Sequence, residues 1–491
     1  FGVRPLFYAA APGGGLVVGN TPGALRAVRG VGQELDEVAV ADYLLFGMSM
    51  DADATLFSAV RALRRGHRGR WSAAEGVRIH PYWTPSARPE LRLRDGGEYV
   101  EAFRGLLGAA VRDRVRGSPV SVEMSGGLDS TLLAAFTQRE LQRAGVAAGV
   151  RGWCVSHAAA FADPEPPLAG IAARHLGIPL RVFDAGRVPA LDGGFALRAA
   201  PLLPLAPISH AVAREMLGHS RIALSGFDGD ALLKVSFGPV WAGMLRRGAV
   251  GGLAGALLSL ASVAAHNRRL PRIHVRSTLR RRRWPRAEWP VPGWLREDFA
   301  ARVGLRERAD ALSAAHAAAG DDPRAKVRGP LQEVLWKDLF ESYDAGATGL
   351  PHVVMHPFMD LRVAAFLQSL PPVPWCVEKH ILRRAGEGLL PPEIRRRPKI
   401  ALAADPLQAR GAEVAAALRE PDALRGLERW VAVDQLQLLD VAEGTTVSWS
   451  TARLASLARW LHPQERSDAP DGPIPVIPWK GASNVRKEAV P

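Results

Sequence analysis

The sequence predicts an α/β protein: a doubly wound parallel sheet, a mainly helical C-terminal part, and a β-rich block in front. Three observations carry this. From residue 98 to residue 230, short apolar runs alternate with stretches of helical spacing, the pattern of strands joined by crossover helices. Ahead of them, short alternating segments are punctuated by Pro and Gly. Beyond Pro239 helical spacing takes over.

In chain order, Gly2–Tyr8 and Gly15–Gly19 read as strands joined by the turn Pro12-Gly13-Gly14. The run from His80 to Pro85 breaks that pattern and leads into a linker, so residues 1–95 are expected as a first domain. Glu98 to Val115 reads as a helix. Val120 and Val122 then alternate with polar residues, as in a strand. Ser125, Gly126 and Gly127 form a turn. Leu132, Leu133, Phe136 and Leu141 recur at helical spacing until Gly145 stops them. Further strands are expected at Val150–Val155, Pro179–Phe183 and Arg221–Leu224, with helices at Leu168–Leu176 and Ile208–Leu217 between them. Residues 96–462 are expected as the second domain, and 463–491 as a loosely ordered, Pro-rich tail.

Composition narrows the class. The chain has 491 residues, 47% of them hydrophobic, enough for two or three cores. Cys154 and Cys376 are its only cysteines, which excludes a disulfide scaffold and fits the cytoplasm. The chain opens on Phe1 rather than Met, so its true start is expected upstream. Net charge is +14, which favours anionic partners. Much of the excess lies between Arg268 and Arg286. Trp284 and Trp289 there could stack on nucleic acid, but no nucleic-acid module surrounds them, and a solvated insertion is the expectation. The uncharged run Gly248–Ala265 is short of bulky residues for a membrane span and is expected as a buried helix.

The chemistry centres on Ser125-Gly126-Gly127-Leu128-Asp129-Ser130. A glycine turn between a strand and a helix N-terminus is an anion site, because the backbone can approach and the helix dipole favours negative charge. Asp129 would repel a bare anion, so a divalent cation is expected to accompany the phosphate. The six residues resemble the pyrophosphate loop of ATP pyrophosphatases. They lack the Gly-Lys-Ser/Thr ending of a Walker loop.

Three later segments extend the resemblance: Leu224 to Asp230, His356-Pro357-Phe358-Met359-Asp360, and Glu378-Lys379-His380 with Arg395 to Lys399. In this order, with the loop, they resemble the glutamine-dependent asparagine synthetase family. Phe1 to Tyr8 is similar to the late part of that family's glutaminase domain. Trp375 to Lys379 and Arg397 to Leu407 are similar to the branch that closes lasso peptides. The resemblance implies ATP and Mg²⁺ as cofactors, with Asp129 and Asp230 holding the metal. It implies Ser125, Gly126, Gly127 and Ser130 on pyrophosphate, and Ser225 and Gly226 on the nucleoside. Lys399 would stabilise transition-state charge, and Lys379 would contact phosphate. The base that takes the proton of the attacking amine is expected among His356, Tyr343, Glu341 and His352; His356 is the named candidate, and the choice stays open.

The implied reaction is adenylation of an Asp or Glu side chain of a precursor peptide, followed by attack of its N-terminal amine. A leader peptidase and a leader-recognition protein are the implied partners; nucleic acid and membrane are not expected. The alternatives are asparagine synthetase, a β-lactam-synthetase-like amide former and, outside enzymes, a nucleic-acid-binding protein. Phe227 stands where asparagine synthetases carry an acid, and Val353 to His356 stand where an acid usually precedes the Pro-Phe run. Neither cysteine can be the family's N-terminal nucleophile.

Overall fold

The computed structural model describes residues 1–461 except 86–87, 116–117, 147–148, 190, 192–203, 228, 236, 247–249, 272–288, 319–322, 325–329, 400–401, 421–423 and 438–447. The tail 463–491, Trp284 and the arginines from Arg272 to Arg286 lie outside the described residues.

The N-terminal block contains two small antiparallel sheets. Strands β1 (Phe7–Ala11), β2 (Gly15–Gly19) and β3 (Arg61–Ala62) form one, in the order β2-β1-β3. Strands β4 (His67–Ser72) and β5 (Gly76–Pro81) form the other. The expected first strand is shifted: pairing begins at Phe7, opposite Gly19, beyond Pro5, which has no N–H to give a ladder. The break expected at His80 falls later, after Pro81.

Two helices complete the block, α1 (Pro22–Arg26), capped by Thr21, and α2 (Glu37–Phe46), capped by Asp36. Helix α2 is buried nearly all round. Its Val40, Leu44 and Phe46 share a core with Phe299, Trp430, Leu454 and Leu457 from the far end of the chain. Asp42, fully buried, is satisfied by Arg308 Nε at 2.8 Å and by the Met50 amide at 2.7 Å.

The central sheet follows. Helix α3 (Gly96–Val115) leads to β6 (Val120–Glu123), α4 (Leu128–Arg143), β7 (Val150–Ser156), α5 (Glu165–Leu176), β8 (Leu180–Asp184), α6 (Ala206–Leu217) and β9 (Ile222–Leu224). Strand β10 (Val353–Met355) joins from far downstream. The order is β10-β9-β6-β7-β8, all parallel. Cys154 faces a core with Phe103, Phe136 and Ala172 of α3, α4 and α5, while its neighbour Trp153 faces Ile208 and Val212 of α6. This is the doubly wound sheet that the alternation predicts. Connections leave β6 in both directions, so the gap between the carboxyl ends of β6 and β9 is the switch point where such sheets bind ligands.

Past β9 come α7 (Gly229–Leu233), α8 (Phe237–Arg246) and α9 (Val250–Asn267). Helix α9 corrects the expectation of a buried helix. Ala256 and Val263 are buried, but Leu257 and Leu258 are exposed, because a Gly/Ala-rich helix packs along only one narrow face. Among the described residues no helix is long and apolar enough to cross a membrane. Trp289 lies edge-on to Phe46, with ring centroids 5.2 Å apart, so it fills a core rather than offering a stacking face.

The helix Pro330–Ser342 and the turn after it tie the block to the rest of the chain: Lys337 Nζ donates to Ala54 O at 2.6 Å, and Asn20 Nδ2 donates to Oδ1 of Asp344, the N-cap of the next short helix, at 2.7 Å. On this helix Glu341 is pushed up to about 7, first by burial, with Lys337 opposing and Asp338 and Asp344 adding. The folded chain then holds a proton that the unfolded chain releases, so stability falls as pH rises from 4.5 to about 7. Glu341→Gln is expected to flatten that fall, read by urea unfolding at several pH values across the window; an unchanged slope would count against a buried Glu341.

Candidate active site

Strand β6 ends by delivering Ser125 into the glycine turn. Gly126 has φ of +65°, and a Cβ on it would lie 2.5 Å from the Ala169 amide nitrogen. Only glycine fits both conditions. Gly127 is the N-cap of α4 and, having no side chain, leaves the first-turn amides without a side-chain cap of its own. Ser125 Oγ lies 3.4 Å from Ser130 Oγ and accepts the Gly127 N–H at 3.3 Å. The arrangement offers an anion two hydroxyls and a helix N-terminus.

The turn after β9 meets this loop directly. The Ser225 amide donates to Met355 O of β10 at 3.0 Å, and Ser225 Oγ accepts from the Phe227 amide at 3.3 Å. A Cβ on Gly226 would stand 3.0 Å from the Ser130 backbone, and one on Gly229 only 2.8 Å from Asp129 Oδ1. These glycines let the two loops touch. Phe227 itself is 60% exposed.

Charge converges where the loops meet. Lys379 Nζ donates to Asp129 Oδ2 and, at 2.6 Å, lies against Asp230 Oδ1. Lys399 Nζ donates to Asp230 Oδ2 at 2.6 Å. Burial pushes the Asp129 carboxyl up against the pull of Lys379, with Asp230 adding to the rise. For Asp230 burial also pushes upward, but Lys379 and Lys399 outweigh it and hold the carboxyl below its usual range. Burial pulls Lys379 down, yet the two carboxylates win and its ammonium is held above the ordinary value.

Asp129 Oδ1 is buried and accepts no hydrogen bond. That orphaned oxygen, beside Asp230, fits a divalent cation. Among the described residues no group of three or more His, Cys, Asp or Glu forms a metal cage. Two carboxylates completed by phosphate oxygens are the usual Mg²⁺ arrangement.

Lys379 is aimed by an unusual backbone. Glu378 and Lys379 are consecutive left-handed residues, with φ of 47° and 59°, each costing roughly 1–2 kcal/mol for an L-residue. Glu378 is gripped by Arg269, whose Nη1 and Nη2 donate to its two carboxylate oxygens at 2.8 and 2.6 Å. The buried Arg383 donates from Nε to the Glu378 carbonyl at 2.8 Å. Lys399, by contrast, has a side chain 73% exposed.

The candidate bases divide. His356 is buried, with ring centroids 4.9 Å from Phe340 and 5.4 Å from Tyr343, and it caps the short turn Pro357–Met359. It does not line the cavity of about 420 Å³ that opens beside Ser125. Neither does Glu341. Tyr343 and His352 do line it, with Glu123, Trp153 and Ser209; burial holds His352 below its ordinary pKa. Asp360 caps the helix Leu361–Ser369 and is held by Arg114 at 3.0 Å, a structural bond between that helix and α3. Both cysteines are buried; burial, with Glu165 and Asp163, pushes Cys154 up to about 12.

Sequence reasoning named Tyr343, His352 and Glu378 but missed Arg269 and Arg383 as partners of Glu378, and missed most of the cavity lining. Arg269 reads in sequence as part of a basic patch, and nothing local announces a partner 109 positions away. Its bond to Glu378 also removes it from any nucleic-acid face. Gly126→Ala is expected to destabilise the fold by about 1–2 kcal/mol or more, because the left-handed backbone and the α5 contact both resist a methyl group; thermal unfolding unchanged from the parent chain would refute the turn geometry.

Comparison with known proteins bears on the family. Residues 102–462 match the asparagine synthase family, and residues 1–83 match a glutamine amidotransferase domain. The chain is similar to "Asparagine synthetase [glutamine-hydrolyzing] 3" of Bacillus subtilis (strain 168), with 26% identity over 147 residues, 30% of this chain and 23% of that relative. The matched stretch therefore spans under a quarter of that relative's length. The asparagine synthase match alone runs through the loop, both aspartates and both lysines, over well more than half of the sequence, and the chain belongs to the asparagine synthase family.

Proposed function

We propose that this protein is an ATP-dependent, AMP-forming amide ligase. The observation that carries the reading is the meeting of Asp129, Asp230, Lys379 and Lys399 at one glycine anion site. A carboxylate oxygen of the acceptor bonds to the α-phosphorus of ATP, the α–β bridge breaks, and pyrophosphate leaves. Ser125, Ser130 and the first turn of α4 bind phosphate. Ser225 and Gly226, beside Ser130, face the nucleoside. Lys379 and Lys399 bring positive charge to the leaving group, where aimed donors act most strongly. Asp129 and Asp230 would hold Mg²⁺ arriving with the nucleotide, which neutralises phosphate charge. An amine then attacks the acyl carbon, and AMP departs with one carboxylate oxygen. The amine proton passes to a base; Tyr343 and His352, which line the cavity, are better situated for this than His356.

The acceptor we propose is a peptide Asp or Glu, and the attacking amine is the same peptide's N-terminus, giving a lasso-type macrolactam. Three features support this: the runs Trp375–Lys379 and Arg397–Leu407, the exposed Phe227 at the site's rim, and Val353 to His356 forming a strand and a buried histidine where asparagine synthetases carry an acid. A leader peptidase and a leader-recognition protein would deliver the peptide in the cytoplasm.

The test is mass spectrometry of leaderless core peptides incubated with the protein, ATP and Mg²⁺, with candidate partner proteins added and AMP followed in parallel. Loss of one water with matching AMP is the expected result. Lys399→Ala and Asp129→Ala are each expected to slow AMP formation by about 10²–10³-fold. AMP formed only with aspartate and an ammonia source would identify an asparagine synthetase, the reading that the Bacillus relative favours. No AMP with any carboxylate would sink the ligase reading.

A further inference from the structure

The two lysines of the site sit on segments that no strand supports. Both segments are nevertheless tied to one place, the C-terminal end of α9. Arg269 grips both oxygens of Glu378, and its Nε lies 3.4 Å from the Arg396 carbonyl, three residues before Lys399. Asn267 Nδ2 reaches Glu378 Oε2 at 3.4 Å. His266 stands 3.1 Å from Glu387 Oε1 and 2.8 Å from Arg395 Nη1.

The Arg269–Glu378 pair is mostly buried, with side chains 23% and 12% exposed. A planar guanidinium on a carboxylate fixes orientation as well as distance. Glu378 shares its peptide with Lys379, and both lie in the left-handed region. Fixing the Glu378 side chain therefore fixes the direction in which the next residue leaves. Released from the pair, the two residues relax toward ordinary backbone, and the Lys379 ammonium swings off the aspartates.

We propose that Arg269 is a positioning residue: it holds Glu378 so that Lys379 stays aimed between Asp129 and Asp230. The proposal rests on the ligase reading for its catalytic consequence, but its structural core can be tested without turnover.

The experiment is trace acetylation of the ATP-free protein with acetic anhydride, reading Lys379 against the exposed Lys234 by mass spectrometry. In the parent chain Lys379 is expected to be protected. In Arg269→Met its labelling relative to Lys234 is expected to rise several-fold, and Arg269→Lys, which lacks the planar fork, is expected not to restore protection. Glu378→Gln is the second variant, keeping the shape and losing the charge; it is expected to shift labelling the same way and serves if Arg269→Met does not fold. Labelling that stays at the parent ratio in the folded variants overturns the proposal.

The catalytic arm measures AMP formation. Arg269→Met is expected to lower kcat by up to about 10²-fold, the scale of a misplaced group, with little change in KM for ATP. Combined with Lys379→Met it should slow the enzyme no further than Lys379→Met alone. Effects that multiply would overturn the proposal. If the parent chain makes no AMP, the ligase reading fails, while the labelling ratio still decides whether Arg269 aims Lys379.

Discussion

Two carboxylates brought to one point repel each other, and a cation must stand between them. In this protein that cation is the Lys379 ammonium. Much of the surrounding structure exists to make the meeting possible. Strands β6 and β9 have to be neighbours so that Asp129 and Asp230 leave adjacent carboxyl ends. Gly226 and Gly229 have to lack side chains so that the two turns can touch. Lys379 then has to enter from the C-terminal helices at an angle that only a left-handed backbone provides. With its ammonium between the two carboxylates, Lys379 offsets the repulsion that their burial would otherwise leave uncompensated.

The glycine loop, the sheet and most of its helices were legible in the sequence because each depends on neighbours in the chain. A strand, a glycine turn and an apolar stripe are local patterns, and β6 with α4 shows all three. Strand β10 was not legible. Its three residues, Val353, Val354 and Met355, are too short to show alternation, and what makes them a strand is the edge of β9 more than a hundred residues earlier. His356 was read as a candidate base for its residue type and its place in a motif. Packing against Phe340 and Tyr343 is invisible from sequence, as is the separation of His352 and Tyr343, which face the cavity, from His356 and Glu341, which do not.

Arg269 shows how a charge cluster can hide a structural residue. A cluster of like charges suggests a solvated face, and that holds only while every member is free. Arg269 belongs to the fold, as do Arg308 on Asp42 and the buried Arg383. Guanidinium groups suit this work because they stay charged when buried and their forked donors reach two acceptors at once. A count of positive charge therefore overstates what this chain offers to an anionic partner.

The shared core around α2 binds the two ends of the described chain together. Val40, Leu44 and Phe46 come from the first tenth of the chain, yet they close a layer built from Phe299, Trp430, Leu454 and Leu457. A chain that shed its N-terminal block would lay open an oily face on the part that remains, and a fully buried aspartate would vanish from beneath Arg308. The two parts therefore belong to one hydrophobic body rather than being separate beads on a string.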